Sequence, residues 1–275
     1  MAAGSSIAPT FIYGTAWKKD ATSELVTAAV QSGFRAIDTA NQPKHYQEPL
    51  VGDALKALAA TGVERTSLFI QTKFTPLDGH DHRVPYDPER DLKSQVRQSF
   101  ESSLRHLNTD YLDSYLLHGP YNYPALGSED WEVWTAIEEL YRAGKIGRIG
   151  ISNVNAGQVA ALVDKASIKP MVVQNRCFAN RGWDRQVRDV CRKNGILYQG
   201  FSLLTANRNV LVDSRVLSIA GRVNFHPEQV IFRFAMQVGM VPLTGTTATQ
   251  HMIDDLQVYN FELTPQEVSL IESIG

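Results

Sequence analysis

The sequence predicts a single (β/α)8 barrel, the TIM-barrel architecture, over residues 1–275. Short β-rich runs alternate with longer helical segments along the whole chain, and eight such units follow one another. This alternation implies parallel strands joined by helical crossovers, and eight units without a break in composition favour a closed barrel. The alternative is an open doubly wound sheet. That fold normally carries a Gly-rich turn after its first strand, and Tyr13-Gly-Thr-Ala-Trp17 does not match GxGxxG.

Each predicted strand is a short run rich in β-branched or aromatic residues with turn or polar residues around it. The first strand, Thr10–Tyr13, is followed by glycine, and the last, Met240–Thr244, ends before Gly245. The other six strands, in chain order, are Arg35–Asp38, Leu68–Lys73, Tyr111–His118, Ile146–Ser152, Met171–Gln174 and Leu197–Phe201. Runs of this length are typical of strands rather than helices.

The predicted helices carry apolar residues at intervals of three and four positions. In Asp91–Leu107, for example, Val96 and Phe100 begin such a face. Terminal residues support the boundaries, since Ser128 is suited to N-cap the fourth helix and Thr264 the last. The remaining helices are Ser23–Ser32, Glu48–Ala60, Ser128–Ala143, Ala156–Lys165, Asp184–Lys193, Val212–Ala220, Pro227–Val238, Thr249–Val258 and Pro265–Ile274.

The composition argues against two classes of partner. The chain has 27 Lys+Arg against 29 Asp+Glu, a net charge of −2, and no basic run. Nucleic acid is therefore not expected, because phosphate binding needs clustered positive charge. The longest unbroken apolar run is five residues, Val159–Val163, so no membrane span is predicted.

The compartment and the oligomeric state are predicted from weaker signals. The N-terminus has no basic region and no apolar stretch behind it, so it does not read as a secretory signal. Cys177 and Cys191 form no CxxC motif and lie in unlike contexts, which indicates reduced thiols and a cytoplasmic protein. No long exposed apolar stripe is evident, so a monomer is expected.

Ionisable residues end three consecutive predicted strands. Asp38, Lys73 and His118 each terminate an apolar run, and Tyr46 lies in the loop after the second strand. In a barrel, the C-terminal ends of the strands meet at one rim, where active-site groups are found. Asp38 and Lys73 are expected to pair, because neither residue type is buried alone. By itself, the Asp38–Lys73 pair would indicate a structural ion pair. Together with Tyr46 and His118, it favours a catalytic site.

These residue types suit proton delivery to an oxygen that is becoming an alkoxide. A Lys ammonium beside Tyr46 is expected to lower the pKa of the phenol, which would make it a usable acid near pH 7. His118 can donate a hydrogen bond to a carbonyl oxygen and polarise it. No side chain supplies hydride, so a nicotinamide cofactor is expected.

An ordered set of motifs resembles the aldo-keto reductase family from about Gly14 to Leu263. The resemblance implies a TIM barrel, NADPH and reversible reduction of small aldehydes or ketones. It also implies that Tyr46 is the acid, Lys73 lowers its pKa, Asp38 holds Lys73 and His118 orients the carbonyl. The motifs are Gly33-Phe-Arg-Ala-Ile-Asp-Thr-Ala40, Gln71-Thr-Lys-Phe74, Asp110-Tyr-Leu-Asp-Ser-Tyr-Leu-Leu-His118, Gly144-Lys-Ile-Gly-Arg-Ile-Gly-Ile-Ser-Asn153 and Val173-Gln-Asn175.

The same resemblance implies which residues bind the cofactor and substrate. Ser152, Asn153 and Gln174 match the positions that hold the carboxamide, and Phe201 replaces the Tyr that usually stacks on the nicotinamide. Substrate contacts are expected from Trp17, His118 and Tyr121. The other implied cofactor contacts are Gly14, Thr15, Ala16, Asp38, Ser202, Leu203, Leu204, Gly245, Thr246, Thr247, His251 and Asp255.

The sequence departs from the family pattern at the adenosine end. The usual Lys and Arg of the 2′-phosphate pocket are absent, and Thr246, Thr247 and His251 occupy that region. Asp255 stands where an Asn usually faces adenine. NADPH is therefore implied by the resemblance alone, and NADH stays open. The sequence ends just after the last predicted helix, so the C-terminal loop that often covers the substrate is expected to be missing and the pocket to be more open.

Two other functions stay open at the level of the sequence. A protein of this fold could bind nicotinamide nucleotide as a sensing or accessory module with little turnover. A metal-dependent hydrolase would rest only on His80 and His82, which are two positions apart in a polar loop without further ligands and are expected to be solvated. No metal site is predicted.

Overall fold

The computed structural model describes residues 8–275 and contains eight parallel strands that close into a barrel in sequence order. Strand β1 pairs with β8 to complete the ring, with Ile12 opposite Leu243. The strands are β1 Ile12–Gly14, β2 Ala36–Asp38, β3 Phe69–Phe74, β4 Ser114–Leu117, β5 Ile149–Ser152, β6 Val172–Arg176, β7 Leu197–Phe201 and β8 Met240–Thr244. This is the (β/α)8 barrel that the sequence predicts.

Eleven α-helices surround the barrel in residues 8–275. They are α1 Thr22–Ser32, α2 Glu48–Ala60, α3 Leu92–His106, α4 Ser128–Arg142, α5 Ala156–Lys165, α6 Arg185–Lys193, α7 Arg208–Leu211, α8 Ser214–Val223, α9 Pro227–Gln237, α10 Thr249–Leu256 and α11 Pro265–Glu272. No helix in this part of the chain is both long and apolar enough to cross a membrane.

Side chains alternate between the barrel interior and the helix layer, as the period of a strand requires. On β3, Phe69 belongs to the small inner core, whereas Ile70 and Phe74 belong to the large core beneath the helices. The inner core contains Ile12, Ala36, Phe69, Val241 and Leu243. The same alternation turns Gln71 and Lys73 inward above Phe69, so the inward residues change from apolar to polar towards the C-terminal rim.

Two of the predicted helix starts are wrong for identifiable reasons. The predicted helix Val212–Ala220 corresponds to α8, which begins two residues later, because the Asp213 side chain accepts from the backbone N–H of Arg215 and caps the helix there. The short helix before it, α7, was not predicted. Ser128 is the first residue of α4 rather than its N-cap. The Asp130 carboxylate accepts from the backbone N–H of Gly127 and so caps the start of that helix from within. Thr264 caps α11 as predicted.

Candidate active site

A cavity of about 680 Å³ opens at the C-terminal rim of the barrel. Tyr46 and His118 line one end, Phe201 lines the wall and Asp255 lines the other end. Most of the residues implied by the sequence line it: Gly14, Ala16, Asp38, Tyr46, His118, Ser152, Gln174, Phe201, Ser202, Leu203, Leu204, Gly245, Thr246, His251 and Asp255. The cavity thus joins the two groups of residues for which catalytic and adenosine-binding roles are expected.

Asp38 and Lys73 form the buried ion pair that the sequence predicts. The Lys73 side chain is 0% exposed, and its Nζ lies 2.7 Å from Oδ2 and 2.8 Å from Oδ1 of Asp38. Its third N–H donates to the backbone carbonyl of Thr39 at 2.8 Å. Burial lowers the pKa of Lys73, and the Asp38 carboxylate opposes that shift. All three hydrogens of the ammonium are therefore used in holding this arrangement.

A layer of glutamines lies beneath the ion pair. Gln71 and Gln174 both donate from Nε2 to Asp38 Oδ1, at 2.7 Å and 3.0 Å. Both also donate to Oε1 of Gln199, whose own Nε2 donates to Gln71 Oε1. The three amides cross the barrel from β3 to β7. Two of them donate to the buried Asp38 carboxylate, which would be unfavourable without hydrogen-bond donors.

Tyr46 is held against the pair by the loop after β2. The backbone N–H groups of His45 and Tyr46 both donate to the carbonyl of Gln42, and the N–H of Trp17 donates to the carbonyl of His45. The Tyr46 ring centroid lies 5.3 Å from Lys73 Nζ. His45, the residue before Tyr46, packs its ring 4.0 Å from that of Trp17. Of the two adjacent residues, only Tyr46 lines the cavity.

The expected lowering of the Tyr46 pKa is wrong for this structure. Burial and then the negative charge of Asp38 raise the pKa of Tyr46. The Lys73 ammonium does not reverse this shift, because its three hydrogens are donated to Asp38 and Thr39 and none to Tyr46. The phenol is therefore protonated throughout the neutral range. It is prepared to donate a proton rather than to accept one.

His118 lies across the cavity end from Tyr46, with ring centroids 5.8 Å apart. Its backbone N–H donates to Phe74 and its carbonyl accepts from Asn153 Nδ2, which fixes the residue at the top of β4. Burial, followed by the charge of Lys73, lowers the pKa of His118 well below its ordinary value. The ring is neutral at pH 7. Its Nδ1 lies 2.7 Å from the hydroxyl of Thr75.

Ser152, Asn153 and Gln174 lie together between His118 and Phe201. The Ser152 hydroxyl donates to the carbonyl of Gln174 at 2.6 Å, and Asn153 Nδ2 donates to Ser152 Oγ at 3.2 Å. Asn153 holds the left-handed backbone conformation, with φ of 58°. Within residues 8–275, Asn153 Oδ1 and Gln174 Oε1 accept no hydrogen bond, so two carbonyl-type acceptors are left available.

The far end of the cavity carries both signs of charge. Lys18 Nζ donates to the carbonyl of Gly245 across the cavity wall. The sequence alone did not indicate Lys18, because Lys18 follows β1 and its partner Gly245 follows β8, almost at the other end of the chain. The other charged or titratable residues that line this end are Arg208, His226, Glu228, His251, Asp254 and Asp255.

Asp255 is a buried carboxyl whose only close donor in residues 8–275 is the Thr244 hydroxyl, at 2.7 Å. Burial raises the pKa of Asp255 to about 6. Such a shift penalises the folded state when the group is ionised, and the penalty develops as pH rises from 3.8 to about 6. A buried carboxyl retained at this cost in a cavity is a candidate functional group.

We expect Asp255→Asn to raise the free energy of unfolding at pH 7 by about 1–2 kcal/mol, and the gain to vanish near pH 4. Asparagine can still accept from Thr244, and it removes the ionisation that burial disfavours. Denaturant unfolding of the nucleotide-free protein at the two pH values measures this. Asp254→Asn is the control, expected to change stability by less than about 0.5 kcal/mol. An equal effect at both pH values would contradict the account of Asp255.

Several expected site residues lie outside the cavity wall. Trp17 is 67% exposed, and its left-handed backbone, with φ of 64°, presents the ring to His45. Thr15 is buried, and both its N–H and its hydroxyl donate to the Asp38 carbonyl at 3.0 Å, so it holds β1 to β2. The others that do not line the cavity are Tyr121, Asn153 and Thr247, together with Lys73 beneath it.

The His80 and His82 pair is not a metal site in the described residues. His82 is exposed as expected, but the expectation of a solvated His80 is wrong. His80 is buried, and its Nε2 lies 3.1 Å from the Thr75 carbonyl. Among residues 8–275, no group of three or more His, Cys, Asp or Glu side chains is placed to hold a metal ion. Cys177 and Cys191 are both buried and unpaired.

Gln71, Gln199 and Thr75 are the polar residues near the reacting end that sequence reasoning missed. Gln71 and Gln199 each stand inside an apolar strand, at inward positions two residues before Lys73 and Phe201. That period-two spacing was a usable signal, since it places them directly beneath the rim. Thr75 follows β3 directly and has no comparable signal, because its role depends on a contact with β4.

Comparisons with known proteins agree with this geometry. A model of the Aldo/keto reductase family matches residues 10–275. The chain is 33% identical over 255 residues to a glyoxal reductase of Bacillus subtilis (strain 168), covering 92% of this chain and 83% of that protein. The uncharacterized oxidoreductase YtbE of the same organism is 31% identical over 258 residues, covering 92% and 84%.

A solved structure agrees as well. The aldo-keto reductase MGS-M4, from a Medee basin deep-sea metagenome library, superimposes with a TM-score of 0.82 at 25% identity over 98% of this chain and 92% of that one. The barrel, the cavity at its C-terminal rim and the family match over nearly the whole chain lead to one conclusion. The protein belongs to the aldo/keto reductase family and is an NAD(P)H-dependent oxidoreductase.

Proposed function

We propose that this enzyme reduces a small aldehyde or ketone with NADPH, and that Tyr46 is the general acid. The observation that carries the proposal is the placement of Tyr46 and His118 at one end of the cavity, over the buried Asp38–Lys73 pair. A reduced nicotinamide nucleotide, when bound, supplies the hydride. The protein's own residues then have to bind the carbonyl, orient it and deliver the proton.

The free hydrogen-bonding atoms fit a nicotinamide carboxamide. An amide NH2 needs two acceptors. Gln174 Oε1 in the cavity wall and Asn153 Oδ1, on an exposed residue just outside that wall, accept no hydrogen bond in residues 8–275. The half-buried Phe201 ring lines the adjoining wall and offers an aromatic face for stacking. Gln174 also donates to Asp38 Oδ1, so the residue that would hold the carboxamide is tied to the ion pair under Tyr46.

Proton delivery follows from the protonation states. His118, neutral in its buried position, donates from one ring nitrogen to the substrate oxygen and polarises the carbonyl. Tyr46, kept protonated by burial, donates its hydroxyl proton as negative charge develops on that oxygen. An alkoxide is a stronger base than a phenolate, so the transfer is favourable.

The remaining contacts belong to the same proposal. Ser202, Leu203 and Leu204 follow β7 along the cavity and would contact the phosphates. Lys18, held to Gly245, would lie over them. Trp17 and Tyr121 are proposed substrate contacts, Trp17 because its exposed ring packs against His45, the residue before Tyr46.

The preference for NADPH is tested by titrating the protein with NADPH and with NADH, followed through the quenching of tryptophan fluorescence. The far end of the cavity has one guanidinium and two imidazoles that would favour binding of a 2′-phosphate: Arg208, His226 and His251. We expect tighter binding of NADPH and turnover with a reactive aromatic aldehyde. Equal or tighter binding of NADH would contradict the preference. Tight binding without turnover would instead support a sensing role.

A further inference from the structure

We propose that Thr75 is a positioning residue that fixes His118 in the tautomer whose Nε2–H faces the cavity. The consequence for turnover rests on the proposed function, whereas the tautomer itself does not. The two residues stand at the ends of adjacent strands, β3 and β4. The Thr75 hydroxyl oxygen lies 2.7 Å from His118 Nδ1; Thr75 is buried and His118 is half-buried.

Two donors hold the Thr75 backbone in place. His80 Nε2 lies 3.1 Å from the Thr75 carbonyl, and the Tyr86 hydroxyl donates to the same oxygen at 2.9 Å. Gly79 packs so closely that a Cβ there would stand 2.6 Å from the Thr75 methyl group. The side chain is thereby directed at His118 by contacts from three positions of one loop. This gives a role to His80, which the reaction itself does not use.

The hydrogen-bond partners available to the Thr75 hydroxyl decide whether Thr75 or His118 is the donor. The hydroxyl of Thr75 has no other partner in residues 8–275, and the residue is 3% exposed. If His118 Nδ1 carried the proton and donated it, the hydroxyl hydrogen of Thr75 would be buried without an acceptor. A buried donor without an acceptor lowers the stability of the folded protein. If the hydroxyl donates to Nδ1, its one hydrogen is used. The ring is neutral, so its single proton then lies on Nε2.

The tautomer decides whether His118 can take part in the reduction. With the proton on Nε2, the ring donates to a carbonyl oxygen in the cavity. With the proton on Nδ1, Nε2 presents a lone pair to that oxygen and repels it. The Thr75 hydroxyl therefore favours the donor form before any substrate binds, which is preorganisation of an electrostatic contact.

The inference is tested by measuring the ring nitrogen shifts of His118 by NMR in the nucleotide-free protein. Wild type is expected to show a protonated Nε2 and a hydrogen-bonded, unprotonated Nδ1. Thr75→Val keeps the shape and removes the donor, so it is expected to show a mixture of tautomers. Thr75→Ser is expected to restore the wild-type signals. A wild-type spectrum with the proton on Nδ1 would overturn the inference, as would an unchanged spectrum in Thr75→Val.

Kinetics give the second readout. Thr75→Val is expected to lower kcat for aldehyde reduction about 10- to 100-fold, the usual loss when a residue that orients another is removed, with nucleotide affinity unchanged. Ser114→Ala removes a buried β4 hydroxyl that has no partner in residues 8–275 and should keep the wild-type rate. Full activity in Thr75→Val would overturn the inference. The expected NMR spectra without turnover in wild type would support the tautomer and refute the proposed function.

Discussion

Tyr46→Phe is expected to lower kcat for aldehyde reduction by about 10²–10⁴-fold, the contribution typical of a positioned general acid. The substitution removes the hydroxyl and keeps the ring, which packs against His118 and lies 5.3 Å from Lys73 Nζ. Binding of the nicotinamide nucleotide should change little, since the residues proposed to hold it lie elsewhere in the cavity. Steady-state rates and fluorescence titration on the same preparation measure both quantities.

The matched control for Tyr46→Phe is Tyr259→Phe. Tyr259 is 47% exposed and does not line the cavity, so loss of its hydroxyl should leave kcat unchanged. Retention of most of the turnover in Tyr46→Phe would show that another group delivers the proton. His45 would then be the first candidate to examine, because it is adjacent to Tyr46 in the chain and carries a titratable imidazole.

Lys73→Met is expected to destabilise the protein by about 3–5 kcal/mol, because it leaves the Asp38 carboxylate buried without its cation. Asp38 would keep its hydrogen bonds from Gln71 and Gln174 but would lose both of those from Lys73. Activity should fall with stability, since the ion pair also supports Tyr46 and Gln174. Denaturant unfolding monitored by tryptophan fluorescence gives the free energy of unfolding.

A double variant separates charge from packing. Asp38→Asn combined with Lys73→Met removes both charges, so it should recover much of the stability lost in Lys73→Met while turnover stays low. Arg215→Met breaks an exposed ion pair with Asp213, at 2.7 Å, and is expected to cost less than about 1 kcal/mol. If the double variant were no more stable than Lys73→Met, the unpaired carboxylate would not be the source of the loss.

The barrel was predictable because its signals are local. The bounds of β7, Leu197–Phe201, and β8, Met240–Thr244, follow from apolar runs that end at turn residues. Asp38, Lys73 and His118 were found in the same way, since each ends such a run. Helix α8 was placed incorrectly because one side-chain cap, from Asp213, decides where it begins.

The electrostatics of the site were less predictable than its composition. A Lys near a Tyr suggested a lowered phenol pKa, but the sign depends on where the three ammonium hydrogens point, and they point to Asp38 and Thr39. Lys18 reaches Gly245 only because β1 and β8 close the ring. Thr75 reaches His118 only because β3 and β4 are neighbours in register. Each of these contacts depends on which strands are neighbours in the folded barrel.

The central claim is that the enzyme transfers hydride to a carbonyl carbon while Tyr46 protonates the oxygen. It is tested most directly by incubating the wild-type protein with an aromatic aldehyde and NADPH that carries deuterium at the transferred position. Mass spectrometry of the product is expected to show alcohol with one deuterium, at a rate that Tyr46→Phe largely abolishes. Nucleotide binding without formation of labelled alcohol would contradict the claim.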